Sequence, residues 1–311
     1  MSANRKPRPG SGKGRNPSGR SKPRSGPSRT GQRRGRSGQS SRPGPGTTRY
    51  SNRGGRSRGL GGDQVEGRHA VRELLLAGRR TVHEVFMADD LDKAPIIDDI
   101  TELATEVGVP IRMVGRSRLG SEAATTSHQG VVARAKPLAE HTVEELVSTP
   151  NPFLLVLDGV TDPQNLGALL RTAECAGVTG VIMSKHRSVH ITPIVTKTAA
   201  GAVEHLPMAL VGGIPTALSR LSEADVTTIG LDARGERHLF DLQPADVKAV
   251  ALVLGDEGRG LSKLVTQRVD SLAAIPLQGQ MNSLNVAAAS AVACFEVVRV
   301  RESSLGNGTT E

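Results

Sequence analysis

The sequence predicts an α/β protein, and three observations carry that expectation. Over residues 151–303, short runs rich in Val, Leu and Ile alternate with segments of helical periodicity. Residues 63–136 repeat the alternation on a smaller scale. Residues 1–62 are mostly Arg, Gly, Ser and Pro, with too few apolar side chains to offset the entropy of ordering. The 311 residues therefore divide into a disordered basic tail (1–62), a small α/β domain (63–136), a linker (137–150), a parallel-sheet domain (151–303) and a disordered C-terminus (304–311).

The net charge of +9 joins two opposite parts. Residues 1–62 hold 17 of the 40 Lys and Arg residues and no Asp or Glu, leaving 23 basic against 31 acidic residues elsewhere. A flexible cationic chain binds polyphosphate by releasing counterions, which points to nucleic acid. A solubilising extension is the other reading of the same composition. The tail has no apolar anchor for a membrane surface. No apolar run approaches the ~20 residues of a membrane span, and the N-terminus lacks the apolar core of a signal peptide. Cys175 and Cys294 lie far apart with no CxxC, as expected of a reduced cytosolic protein. His186 and His190 have a helical spacing of four, but Lys185 and Arg187 flank them and repel a cation, so no metal site is expected.

In the small domain, "VEGRHAVRELLLAG" (65–78) places Val71, Leu74, Leu75 and Leu76 on a helix that Gly78 can end. "TVHEVFMA", "PIRMVG" and "QGVVARA" read as strands and "IIDDITELATEVGV" as an amphipathic helix. Arg68-His69 before the first helix is either a phosphate contact or a solvated helix start. In the larger domain "FLLVLD", "VTGVIMS", "VEHLPMALV", "VTTIGLDA", "AVALVLGDE" and "SLAAIPL" read as strands. Helices intervene at "NLGALLRTAECAG", "TPIVTKTAAG" and "PTALSRLSEA", and one closes the chain. Near-continuous apolar strands joined by helices argue a parallel sheet covered on both faces. Ligands in such sheets sit beyond the carboxyl ends of the strands.

Three strand ends stand out on that rule. In "LDGVTDPQNLGALLRTAECAG" a strand ends at Asp158, and Asp162 or Asn165 can cap the next helix. Arg171, six residues past Asn165, lies about 240° around the helix axis from it, and a surface salt bridge would explain it on spacing alone. In "LVLGDEGRGLS" (252–262) the glycines give GxxGxG rather than the dinucleotide GxGxxG. A phosphate-binding P-loop fails as well, since Leu261 stands where its lysine is required. Asp256 and Glu257 favour a cationic or neutral ligand; a plain glycine turn is the alternative. In "IPLQGQMNSLNVAAASAVACFE" the stretch Asn282-Ser283-Leu284-Asn285 offers three hydrogen-bonding side chains where one suffices for a cap. Small residues at 287–291 then allow close backbone approach.

Taken in order, "DPQNLGALLRTAECAG", "LVLGDEGRGLS" and "IPLQGQMNSLNVAAA" resemble the three motifs of the SpoU (TrmH-like) branch of the SPOUT RNA 2′-O-methyltransferases, and "KTAAGAVEHLPMA" resembles its intervening segment. "VEGRHAVRELL" and "SHQGVVARA" are similar to the N-terminal substrate domain of the family's ribosomal-RNA guanosine enzymes. The resemblance spans residues 65 to 302 and leaves the tail outside. It implies a C-terminal sheet whose last segment threads a trefoil knot, S-adenosyl-L-methionine as cofactor, and a homodimer. It implies Leu254, Gly255, Ile275, Ser283 and Leu284 as donor-site residues, and Asn165, Arg171, Glu257 and Asn285 as the residues of catalysis. Apart from the resemblance, Arg68, His69 and Gln129 are the RNA contacts expected in the small domain, with the solvated helix start as the other reading of Arg68-His69. An arginine is an implausible base at its reference pKa of ~12.5–13.8, so Arg171 is expected to clamp the target phosphate and steady the forming alkoxide. The implied reaction is methyl transfer to a ribose 2′-hydroxyl, with a 23S ribosomal guanosine as substrate. A transfer-RNA or other ribosomal site, including a resistance-type site, and a catalytically inactive RNA-binding factor are the alternatives. With no Trp, one Tyr and four Phe, a base-stacking RNA module is disfavoured.

Overall fold

The computed structural model describes residues 59–186 and 188–306. The expected tail lies outside these residues except at 59–62, and the expected disordered C-terminus except at 304–306. Residues 59–62 belong to the fold: Leu60 is buried in the core, its carbonyl accepts from Ile191 N at 2.9 Å, and Gly62 N donates to Ile191 O at 2.8 Å. Residues 304–306 continue the last helix.

The N-terminal layer comprises β1 (Gln64–Glu66), α1 (Arg68–Ala77), β2 (Val82–Ala88), α2 (Pro95–Glu106), β3 (Ile111–Val114), α3 (Arg116–Glu122) and β4 (Val131–Ala135). Its strands lie in the order β1-β4-β2-β3, antiparallel except for the β2–β3 pair. α1 buries Ala70, Val71, Leu74 and Leu75, whereas Leu76 falls on the far side and is 51% exposed. Gly78 ends α1 in the left-handed region at φ 61°. Two elements escape the sequence reading. β1 occupies three residues of what reads as a helix lead-in, and α3 fills the stretch before the fourth strand.

The expected linker is also partly structured. His141 N donates to Met208 O at 2.8 Å, and α4 (Val143–Val147) is held by a reciprocal capping box between Thr142 and Glu145. Val143 and Leu146 are buried against Leu154 and Leu218. This turn therefore packs as part of the larger layer.

That layer runs through β5 (Phe153–Asp158), α5 (Pro163–Cys175), β6 (Gly180–Ser184), α6 (Pro193–Thr198), β7 (Met208–Val211), α7 (Ile214–Glu223), β8 (Thr227–Leu231), β9 (Arg237–His238), α8 (Pro244–Val247), β10 (Val250–Gly255), α9 (Lys263–Thr266), β11 (Ser271–Ala274) and α10 (Val286–Gly306). Its seven strands order as β7-β6-β5-β10-β8-β11-β9, with parallel pairing throughout. Strand periodicity explains the apolar runs. Phe153, Leu155 and Leu157 of β5 enter the core under α5 and α10, while Leu154 and Val156 enter the core under α4 and α7. β10 divides in the same way, with Leu252 on one face and Val253 on the other. Each fully buried Leu or Val contributes about 1.5–3 kcal/mol by leaving water. The histidine pair does not form a helical face, because His186 and His190 both lie outside the helices, ahead of α6; His190 Nδ1 lies 3.1 Å from Gly59 O.

A buried ion pair joins the layers. Arg80, between α1 and β2, meets Glu204 in two bonds, Nε–Oε2 at 2.9 Å and Nη2–Oε1 at 2.6 Å. The side chains are 7% and 1% exposed. Arg80 Nη1 also donates to the carbonyls of Gly62 and Lys136, where the chain enters and leaves the N-terminal layer.

Candidate active site

Strand order reverses its direction of growth between β5 and β10, and such a switch point opens a crevice at the carboxyl ends. Gly255 and Asp158, the last residues of β10 and β5, are paired there. Asp158 Oδ2 accepts from Ser262 N at 2.8 Å, fastening the loop after β10 to the end of β5. Within that loop Asp256 and Gly260 exchange backbone bonds of 3.1 and 2.8 Å, and Gly260 adopts φ 65°. A Cβ on Gly255 would lie 2.1 Å from Gly260 C, so the two backbones touch. Gly258 has open space around it, which leaves Gly255 and Gly260 as the structurally required glycines of the second motif.

Asp162 caps α5 by accepting from Asn165 N at 2.8 Å, with Pro163 in the first turn. This cap directs the Asn165 side chain toward the β10 loop. Asn165 Nδ2 donates to Glu257 Oε2 at 2.8 Å. Asn285 Nδ2 donates to Glu257 Oε1 at 2.9 Å and to Asn165 Oδ1 at 3.0 Å. Asn285 Oδ1 meanwhile accepts from Ala287 N at 2.9 Å, capping α10. One side chain is thus both helix cap and cluster member. Two of the three polar side chains at this helix start are placed by this: Asn285 caps and Ser283 faces a cleft.

That cleft, of about 370 Å³, opens beside the cluster. Leu254, Gly255, Ile275, Ser283 and Leu284 all line it. Two residues that sequence reasoning missed line it as well, Asp232 and Arg234 from the loop after β8. The strand-end rule applied to "VTTIGLDARG" would have found them. The Arg234 guanidinium, hydrogen-bonded to Asp232, holds that carboxyl below its ordinary range. Cys294 sits on the buried side of α10, where burial pushes its thiol up to about 11 and keeps it protonated.

Arg171 stays apart. It is exposed on α5 and its side chain has no hydrogen-bond or ion-pair partner among the described residues, so the salt bridge its spacing suggested is not seen. In the N-terminal layer Arg68 meets Gln129 through N–Oε1 at 3.1 Å and Nε–O at 3.2 Å, while His69 is exposed beside them. Lys197 of α6, also missed in the sequence, donates to Ser127 O next to this pair. Among the described residues there is no group of three or more His, Cys, Asp or Glu able to hold a metal ion.

A cleft and a carboxylate–amide cluster at the strand ends of a parallel sheet stand where α/β proteins bind their ligands. The SpoU rRNA methylase family matches residues 152–295, and the RNA 2′-O ribose methyltransferase substrate-binding family matches residues 64–141. The 23S rRNA (guanosine-2′-O-)-methyltransferase RlmB of Shewanella oneidensis is 39% identical over 246 residues, covering 78% of this chain and 98% of that protein. RlmB of Escherichia coli K12 is 35% identical over 243 residues, covering 77% and 99%. The SpoU methyltransferase AviRb of Streptomyces viridochromogenes, solved with AdoMet, shares the fold at a TM-score of 0.66 and 22% identity, covering 77% of this chain and 90% of AviRb. The chain belongs to the SpoU rRNA methylase family and is an RNA 2′-O-methyltransferase.

Proposed function

We propose that this protein methylates the ribose 2′-hydroxyl of a guanosine in 23S rRNA, with S-adenosylmethionine as the methyl donor. The observation that carries the reading is the cleft: all five residues expected to hold the donor line it, next to the Asn165–Glu257–Asn285 cluster. Its size suits a small cofactor, for which sites run from ~300 to 1,000 Å³. Leu254, Ile275 and Leu284 offer apolar walls to a purine, and the Gly255–Gly260 contact lets backbone approach closely. Asp256 and Glu257 supply negative charge suited to a sulfonium. When bound, the donor provides an electrophilic methyl group.

The chain's own residues do the rest. A neutral ribose hydroxyl is a poor nucleophile, so charge stabilisation must accompany loss of its proton. Arg171 clamps the phosphate of the target nucleotide with its planar fork and steadies the alkoxide. Asn165 and Asn285 position ribose and loop, and Glu257 braces the loop by bonding both amides. Arg68, His69 and Gln129 contact RNA from the N-terminal layer, 63–136. The basic tail adds phosphate affinity without sequence preference. The knot implied by the family motifs and a homodimer formed through the C-terminal layer belong to the same proposal; α10 offers Phe295, 49% exposed, for the latter. No helix among the described residues is long and apolar enough to cross a membrane, and the proposed site of action is the cytoplasm.

The test is to map ribose methylation across ribosomal and transfer RNA with and without the gene. Loss of a single 23S guanosine methyl mark is expected. A change confined to transfer RNA or to another ribosomal position would replace this substrate assignment.

A further inference from the structure

We infer that Arg234 is the binding residue for the carboxylate of the methyl donor's amino-acid end, held ready for it by Asp232. The inference rests on reading the cleft as the donor site, and it adds a residue that the three family motifs do not contain.

The loop after β8 is built as a rigid mount. Asp232 N donates to Ala273 O at 3.1 Å, and Gly235 N closes a turn onto Asp232 O at 2.9 Å. A Cβ on Gly235 would lie 2.8 Å from Ala273 C, so the turn is pressed against the backbone of β11. Asp232 is 7% exposed at its side chain, whereas Arg234 is 80% exposed. Both carboxylate oxygens of Asp232 are used on Arg234: Oδ1 accepts from its backbone N and its Nε at 2.9 Å each, and Oδ2 accepts from Nη2 at 2.8 Å. The two side-chain bonds orient the guanidinium along the cleft wall.

A guanidinium carries five N–H donors. Asp232 takes the Nε–H and one Nη2–H, so the Nη1/Nη2 edge has no partner among the described residues. That edge matches the two oxygens of a second carboxylate. The chemistry of the cleft explains why one is needed. Its ionisable lining comprises Asp232, Asp256, Glu257, Arg234 and Arg259, an excess of one negative charge. The donor carries a sulfonium, an ammonium and one carboxylate. The two cationic groups suit the acidic lining, but the carboxylate would be repelled unless a cation meets it. Of the two arginines, Arg259 is held by a single bond, Nε to Asp256 Oδ2 at 2.8 Å, between two glycines. Arg234 is the pre-organised one.

An RNA phosphate has the same oxygen-pair chemistry, so the experiment separates the two sources. Calorimetric titrations of the full-length wild type, Arg234→Gln and Arg259→Gln would use S-adenosylmethionine, its decarboxylated form and substrate RNA. For Arg234→Gln, affinity for S-adenosylmethionine should fall roughly tenfold, as for loss of a charged hydrogen bond. Affinity for the decarboxylated form and for RNA should be unchanged, and Arg259→Gln should have the smaller effect on the donor. Equal weakening toward both small ligands would mean that Arg234 only shapes the loop, overturning the inference. Weakened RNA binding with normal donor binding would make it a phosphate contact, overturning it equally. A wild type that binds neither small ligand would instead sink the reading of the cleft, and the inference with it.

Discussion

Two polar clusters in this molecule use the same chemistry in opposite surroundings. Arg80 and Glu204 sit almost wholly out of water, paired twice, with Nη1 of Arg80 turned to two backbone carbonyls. Asn165, Glu257 and Asn285 are joined just as closely, yet Glu257 and Asn285 are exposed. A buried pair cannot exchange its partners for water, so it fixes the relation between two layers. An exposed cluster can release its bonds to an incoming ligand at little cost, because water already competes for them. Burial thus separates the groups that hold the fold from those available for chemistry.

The sharpest way to break the comparison is on stability. Glu204→Ala leaves a buried guanidinium without its carboxylate, and removal of one partner from such a pair costs about 3–5 kcal/mol. Denaturant unfolding should show the full loss, with S-adenosylmethionine affinity preserved in the folded fraction. The double variant Arg80→Met/Glu204→Leu should recover much of it, since the cost comes from the orphaned charge. A Glu204→Ala protein of wild-type stability would place this pair with the exposed cluster.

Gly255→Ala comes next. Its methyl would be driven against the backbone of Gly260, which cannot rotate away as a side chain can. A destabilisation of about 1–3 kcal/mol is expected from overpacking, together with loss of donor binding. Gly258→Ala, with open space around the Cβ, is the matched control and should leave both quantities near wild type. Smaller again is Asp162→Ala, which removes the cap of α5 for about 1 kcal/mol and releases the backbone that aims Asn165. Its transfer rate should fall more than its stability suggests; a variant with normal turnover would detach the cap from the site.

Much of this was legible in the chain. The apolar runs at 153–157 and 250–254 announce strands buried on both faces, and the structure divides their side chains between two cores as period two requires. What local pattern could not give is convergence. Asn165 and Glu257 are 92 residues apart, and Asn165 and Asn285 are 120 apart. Only the likeness of the motifs to a known family brought them together on paper. α4 is legible inside the expected linker, for Thr142 and Glu145 spell a capping box. β1 was not legible, because three residues carry no period and their strand character comes from pairing with β4. The spacing of His186 and His190 carries no structure for a related reason: an interval of four means a shared face only where a helix exists to impose it.

Arg171 gives the smallest expected effect on stability and the most informative one. It is exposed and has no partner among the described residues, so Arg171→Ala should change unfolding free energy by no more than ~0.5 kcal/mol. Donor affinity should also hold, because the cleft draws its lining from residues 231–289 and none from α5. RNA affinity should fall only modestly, as one phosphate clamp is lost among many contacts. The rate of methyl transfer should fall by a factor of roughly 10² or more, since the clamp acts where charge develops. Arg171→Lys should rescue little, because an ammonium keeps the charge without the planar two-pronged geometry. Single-turnover measurements at saturating RNA and donor isolate that step from binding. A near-normal rate for the alanine variant would leave Arg171 as a solvated surface residue. A matching drop in stability would place it with Arg80 and Glu204, among the groups that hold the fold.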